Sequence, residues 1–282
     1  MIILSYIFYF IASTFSSLQI RWLTKKKNLK SNEQIHFLFQ VIFILFLGSL
    51  TFPLFSRFYL TGNYFHLFLL TLISGIFGTG CNLLSIMAQK HLDASVTSIV
   101  GNIYTPITIF LSSLFLREGL TNLQVIGTIL LLTAIIIVSK KHRTERFTFD
   151  KYFLFTVLSG VLLSILLVAE RALMKTTGFS AGIIMSWGSQ AFFLGLVVLF
   201  TKSKKIYTNA EILGTGIVRF LGATSWVILV YVVGNLSLVS SITTFKVIVV
   251  FITAAIFLNE REDMPRKIFG SIIAVLGLLL MK

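Results

Sequence analysis

A single cysteine, Cys81, stands in 282 residues. One thiol excludes a disulfide framework and a cysteine metal cluster. Charge is also scarce: 12% of residues are Asp, Glu, Lys or Arg, and only 10 of them are acidic. A soluble domain carries about twice that charged share. The 4 histidines, His36, His66, His91 and His142, form no pair with metal-ligand spacing such as His-Glu-x-x-His, so no metal site is expected. No Gly-rich phosphate loop with a lysine occurs, and Gly75–Gly80 lacks the preceding strand that a dinucleotide site needs. No cofactor is therefore expected. No catalytic constellation appears, and the chain does not read as an enzyme. The N-terminal Met-Ile-Ile-Leu-Ser-Tyr has no basic region of the kind that opens a cleaved signal peptide.

What is present is apolar, with 56% hydrophobic residues. Ten runs of about 20 apolar residues occupy roughly 200 positions, each long enough to cross about 30 Å of hydrocarbon. Ten segments are expected, at 2–22, 35–54, 65–87, 94–116, 123–138, 152–174, 181–201, 212–233, 238–258 and 266–281. The fold class is an all-α, multi-pass membrane protein, with no room for a soluble domain. The net charge of +14 does not mark a nucleic-acid binder, because its Lys and Arg are scattered through short loops. Their expected partners are anionic headgroups of the membrane lipids.

Two stretches organise the chain. Leu92–Ser139 and the C-terminal stretch from Leu236 are near-copies: Ser95, Phe115, Leu116 and Glu118 recur 142 positions on as Ser237, Phe257, Leu258 and Glu260. Gly127 and Gly270 are 143 apart. Earlier segments repeat as well. Arg21, Leu23, Lys25, Gln40 and Phe43 match Arg171, Leu173, Lys175, Gln190 and Phe193 at an offset of 150, and Gly80 matches Gly222 at 142. The chain thus divides into a first five-segment repeat (1–139), a basic linker (140–151) and a second repeat (152–282). Five is odd, so tandem halves sit upside down relative to each other, as in internally duplicated transporters.

Several polar residues lie inside the segments. In segment 4, Ser95, Ser98, Asn102, Thr105 and Ser112 fall within about a third of the helix circumference, and Pro106 can kink the same helix. The stripe is read as a cavity wall, with packing as the alternative. Glu118 is read as a helix-start carboxylate near the positive end of segment 5. Lys246 lies mid-membrane, where a lysine costs about 2.5–3.5 kcal/mol on the insertion scale. A structural ion pair, binding of an anionic group and proton coupling are its three readings. Arg219 shares a face with Thr215, Gly222 and Trp226; it either snorkels to the interface or joins the site. Glu170 shares a face with Thr156, Gly160 and Leu163. It is either an interface residue beside Arg171, a proton site, or a partner for Lys246 or Arg219. Asn102, Thr105, Arg219, Trp226 and Lys246 are the expected substrate-binding residues. Pro106, Glu118, Gly127, Glu260 and Gly270 are expected to be structural. Two buried cations against one carboxylate point to an anionic or zwitterionic solute.

Pro106, the turn from Arg117-Glu118 to Gly127, its weaker twin from Asn259-Glu260 to Gly270, and Ala88–Ser95 resemble the EamA-like family of the drug/metabolite transporter superfamily. The resemblance covers nearly the whole chain. It implies ten transmembrane helices in two inverted five-helix repeats, a central cavity lined mainly by segments 1, 3, 4, 6, 8 and 9, and alternating access by rocking of the repeats. Lys246 and Val247 stand near where the family pattern places a proline. A basic residue in segment 9 is similar to sugar-phosphate transporters of the same superfamily. The expected activity is secondary transport of a small organic metabolite, an amino acid or nucleotide-type solute, in a bacterial cytoplasmic membrane. Alternatives are a lipid or lipid-linked-sugar flippase and a non-transporting scaffold. A second copy of the chain, giving a homodimer, is a candidate partner. The resemblance implies cytoplasmic termini. Most of the 24 Lys and Arg, however, lie in the loops at 21–30, 90, 140–151, 202–205 and 261–267, all on one side. The positive-inside rule places that side in the cytoplasm, so orientation stays open.

Overall fold

Residues 2–26, 30–92, 94–117, 121–139, 150–202, 207–243, 246–257 and 264–280 are described by a computed structural model. Among them are eleven α-helices and no strand: α1 (Ile2–Lys26), α2 (Ser31–Ser49), α3 (Tyr64–His91), α4 (Ala94–Gly101), α5 (Tyr104–Leu116), α6 (Asn122–Ser139), α7 (Lys151–Leu199), α8 (Asn209–Val233), α9 (Leu236–Thr243), α10 (Lys246–Phe257) and α11 (Met264–Leu280). Six described stretches are long and apolar enough to span a bilayer: Ile3–Leu23, Ser31–Leu54, Tyr64–His91, Val96–Leu116, Lys151–Leu199 and Asn209–Val233. Two shorter apolar helices run Val125–Ala134 and Ile268–Gly277. A helix satisfies its own backbone, which is why helices fill such runs in hydrocarbon.

The burial pattern is that of a membrane protein. On α1, Ile3, Ile7, Ile11 and Phe15 form an exposed stripe at four-residue spacing, while Tyr9, Ala12 and Ser16 are buried. On α8, Leu213, Ile217 and Leu221 face outward and Thr215, Gly222 and Trp226 face inward. Apolar side chains cover the outside and many hydroxyls and amides lie within, as expected where lipid rather than water is the outer solvent.

Three departures from the expected segments have local causes. Segment 4 is not one kinked helix but two, α4 and α5, separated at Asn102–Ile103. Pro106 has no N–H for the Asn102 carbonyl four residues back, and its ring crowds that carbonyl. The Asn102 carbonyl accepts from the Thr105 N–H at 3.0 Å instead, in a tighter turn. Segment 9 is described on either side of residues 244–245, as α9 before them and α10 after them. Segments 6 and 7 have no loop between them. Both belong to α7, which turns at Gly178, with φ 78° and ψ 178°, a conformation that glycine adopts without steric cost. The turn is sharp. The Ser186 hydroxyl donates to Glu170 at 2.7 Å, although sixteen residues of straight helix would hold them about 24 Å apart. Segment 2 is helical only to Ser49; Phe52–Leu54 form a separate 3-10 turn around Pro53. Glu118, Glu260 and most of the basic linker lie outside the described residues. Gly127 and Gly270 are buried in α6 and α11, which pack on each other.

The halves interlock. The α1 helix packs on α8, α3 on both arms of α7, and α2 on α7 and α8. Small residues set these approaches. A Cβ at Gly78 would stand 2.6 Å from Gln190 carbons, and one at Gly75 would stand 2.4 Å from the Phe193 ring. A Cβ at Gly80 would meet Leu162 at 3.0 Å, and one at Gly222 would meet Ala12 at 3.4 Å. These two contacts repeat at the offsets read from the sequence, since Gly80 maps to Gly222 and Ala12 to Leu162. Arg21 and Arg171 behave as a pair too. The Arg21 guanidinium donates to the Gln89 and Lys90 carbonyls at the end of α3, at 2.6 and 2.7 Å. Arg171 donates to the Val230 and Gly234 carbonyls at the end of α8, at 3.2 and 2.6 Å. Each arginine donates to carbonyls at the C-terminal end of a helix, where intrahelical donors run out; the Val230 carbonyl also accepts from the Gly234 N–H.

Candidate functional site

A cavity of about 350 Å³ is lined by residues of α1, α2, α3, α4, α5, α7, α8 and α10. Its lining reaches from Tyr9, Glu170 and Lys246 at mid-span to Arg21, Gln89 and Thr156, where α1 and α3 finish and α7 begins. Tyr9 and Arg21 are twelve residues apart on α1, so the cavity runs about 18 Å along that helix. Beyond it, towards the start of α1, the structure is packed: Ser112 on α5 and Ser237 on α9 share a hydrogen bond of 3.0 Å.

Lys246, the first described residue of α10, points its ammonium between two tyrosines. Its Nζ is 5.8 Å from the Tyr9 ring centroid and 5.9 Å from that of Tyr104. The Tyr9 phenol also stands beside the ammonium. Ring faces stabilise a cation by about 0.5–2 kcal/mol each, more where water is excluded. Among the described residues no carboxylate pairs with it. Its partners are neutral and its charge stays uncompensated.

The second cation, Arg219 on α8, opens a chain of side chains. Its Nη2 donates to Asn82 Oδ1 on α3. Asn82 Nδ2 donates to Gln190 Oε1 at 3.3 Å, Gln190 Nε2 to Ser186 Oγ at 3.3 Å, and Ser186 Oγ to Glu170 Oε2 at 2.7 Å. Trp187, next in the chain, lines the cavity beside this relay. The carboxylate and the guanidinium thus sit at opposite ends of one relay that crosses from α7 to α3 to α8. Several further polar atoms on the lining have no hydrogen-bond partner: Ser13 Oγ, Gln89 Oε1, Ser98 Oγ and Asn102 Nδ2. The Asn102 side chain is 1% exposed. Unpaired buried polar groups are costly in a folded protein, so these atoms are suited to a polar solute or to water.

Asn102, Arg219, Trp226, Lys246 and Glu170 all line the cavity, as do Thr156, Gly160 and Leu163 on the Glu170 face. Arg219 is only partly buried and faces the cavity rather than snorkelling outward. Glu170 is 3% exposed and bonds Ser186, not its neighbour Arg171. Thr105 is a correction: it is fully buried in the first turn of α5 and does not line the cavity. The break at Asn102–Ile103 resets the helical phase, so residues beyond it leave the face that Ser98 and Asn102 share. Ser112 leaves it for the same reason and meets Ser237. Tyr9, Tyr104, Asn82, Ser186 and Gln190 were not read as site residues from the sequence. Only the Gln40–Gln190 match signalled any of them. The relay draws on three helices distant in sequence, and no local pattern encodes it.

Residues 3–140 match the model of the EamA-like transporter family. No curated protein matches the sequence. A solved crystal structure resembles the whole architecture, with a TM-score of 0.65 at 12% identity over 98% of this chain and 94% of that one. At that identity the likeness speaks for the fold alone.

Proposed function

We propose that this multi-pass membrane protein, whose residues 3–140 match the EamA-like transporter family, is a secondary transporter of the drug/metabolite transporter superfamily that carries a small organic anion or zwitterion. The carrying observation is Lys246, a cation at the cavity surface whose partners are two tyrosines. A solute carboxylate or phosphate is the missing counter-charge; Arg219 and the unpaired Asn102 amide supply further donors. Trp187 and Trp226 give flat apolar walls for the body of the solute. The cavity volume suits an amino acid or a nucleotide-type molecule, since small-molecule sites run from about 300 Å³ upward.

The reading includes ten transmembrane helices in two inverted repeats. Counting the arms of α7 separately, and taking α4 with α5 and α9 with α10, yields ten segments. Exchange of the halves carries the Gly80–Leu162 contact onto Gly222–Ala12, and the Arg21 cap onto the Arg171 cap. A cavity that reaches one end of the bundle and is packed at the other supports alternating access about a midplane site. The membrane is taken to be a bacterial cytoplasmic membrane, and the partners are the solute and lipid, with a homodimer as a further proposal.

A thermal-shift screen of the purified protein against anionic, zwitterionic and cationic metabolites tests the solute class. A ligand that binds only the folded state raises the melting temperature by mass action, by about 2.7 kcal/mol of stability at a hundred times its Kd. Anions or zwitterions are expected to stabilise. Stabilisation by cationic solutes alone would overturn the reading.

A further inference from the structure

We propose that Glu170 is the proton-coupling residue of the cavity and that its protonation is linked, through Ser186, Gln190 and Asn82, to anion capture at Arg219. The inference rests on the transporter reading for its biological meaning, but the linkage is a property of the relay itself.

All four hydrogen bonds point the same way, from the guanidinium to the carboxylate. The direction is fixed by an anchor outside the chain. Asn82 Nδ2 also donates to the Gly78 carbonyl at 2.8 Å. A carbonyl can only accept, so the amide nitrogen of Asn82 faces Gly78 and Gln190, and its oxygen faces Arg219. Gln190 accepts from Asn82 through Oε1, which turns its nitrogen to Ser186. The Ser186 hydrogen is then left for Glu170. A chain of this polarity needs an acceptor at its far end, and an ionised carboxylate is the best acceptor a protein offers.

Adding a proton to Glu170 changes both the end group and the charge. An O–H bond forms on the carboxylate as one O–H bond of a hydronium ion in the cavity breaks and leaves water behind; no other covalent bond changes. A carboxylic acid still has an acceptor oxygen, so the Ser186 hydroxyl then donates to a neutral and weaker acceptor. The negative charge that balances Arg219 through the relay is lost, and the guanidinium keeps one neutral acceptor, Asn82. The cavity gains one net positive charge and holds an anion more tightly. Linkage makes this reciprocal: an anion on Arg219 raises the proton affinity of Glu170 by the same factor. The titratable and charged groups sharing the cavity with Glu170 are Cys81 on α3, Arg219 on α8, Tyr104 on α5, Tyr9 and Arg21 on α1 and Lys246 on α10; α2 and α4 add none.

Trp187, which follows Ser186 in the chain and lines the cavity with Glu170, is a built-in reporter. The chain has three tryptophans, so Trp22→Phe with Trp226→Phe leaves Trp187 as the sole emitter. In liposomes, the emission of that protein is expected to change through one step as pH is varied. The step should vanish in Glu170→Gln. Its midpoint should move to higher pH in Arg219→Met and in Asn82→Leu, which remove the far cation and the middle link. Arg219→Lys, which keeps the charge, should move it less than Arg219→Met. A merely structural role would change melting temperature and leave the midpoint in place. Absence of any step, a step that survives Glu170→Gln, or equal midpoints in the wild type, Arg219→Met and Asn82→Leu would each overturn the proposal. Ser186→Ala is the second link variant should Asn82→Leu fail to fold. No solute is used, so failure here leaves the transporter reading standing, and a failed solute screen leaves the linkage standing.

Discussion

Replacing Lys246 with Met is expected to weaken binding of the stabilising anion by about 10- to 100-fold, with the folded protein retained. A hydrogen bond to a charged group contributes about 1.5–3 kcal/mol, and each 1.4 kcal/mol is about a factor of ten in affinity. The side chain is replaced by one of similar length that loses only the ammonium. The fold should tolerate this, because the ammonium is held by ring faces and one phenol rather than by a carboxylate that would be left buried and unpaired. Removal of a lysine from mid-membrane also removes an insertion cost of about 2.5–3.5 kcal/mol. The melting temperature without ligand should therefore hold or rise. Titration calorimetry of both proteins with the same anion checks the affinity. Equal affinities would return Lys246 to a structural role.

The second large effect concerns the approach of α7 to the break between α4 and α5. A Cβ at Gly160 would lie 2.5 Å from Ile103 Cγ2 and 2.9 Å from the Gly101 carbonyl oxygen. The oxygen is backbone, at the point where Asn102–Ile103 interrupt the helix, and it cannot rotate aside. Overpacking of this kind costs about 1–3 kcal/mol, and for chains of this size each kcal/mol shifts the melting temperature by roughly 2–4 °C. Gly160→Ala should lower it by about 3–10 °C, measured in the same detergent as the wild type. Gly101→Ala is the matched control: its Cβ would find nothing nearer than Thr156 Cγ2 at 3.9 Å, and its melting temperature should stay within about 1 °C of the wild type. If the two variants behave alike, the close packing of α7 on the break is wrong.

Much of this architecture was legible in the residues, for specific reasons. Apolar runs must become helices in hydrocarbon, so the segments could be placed from composition. The offsets of 150 and 142 paired Arg21 with Arg171 and Gly80 with Gly222, and in the structure each pair does one job twice. Pro106 announced an interruption in segment 4, although the break falls at the residues whose carbonyls the proline disturbs, not at the proline itself. Thr105 was misplaced because the stripe from Ser95 to Ser112 assumed an unbroken 3.6-residue period. The polar run Lys175-Thr-Thr-Gly-Phe-Ser180 marked the break between segments 6 and 7; its tightness was not legible, because one glycine with positive φ replaces a whole loop. Glu170 and Arg219 could be flagged as costly charges. The relay between them could not be read, because Asn82, Ser186 and Gln190 meet only after α3 and both arms of α7 have packed together. The glycines that allow that packing, Gly75 and Gly78, were visible; the side chains they admit, Phe193 and Gln190, were not assigned to them.

Counterflow in proteoliposomes tests the central claim most directly. Vesicles carrying the wild type are loaded with the anion that gives the largest thermal shift, and the labelled anion is added outside. The account predicts a transient accumulation of label in wild-type vesicles that is lost in Lys246→Met vesicles with equal protein content. No accumulation in the wild type, or the same accumulation in both, would contradict it.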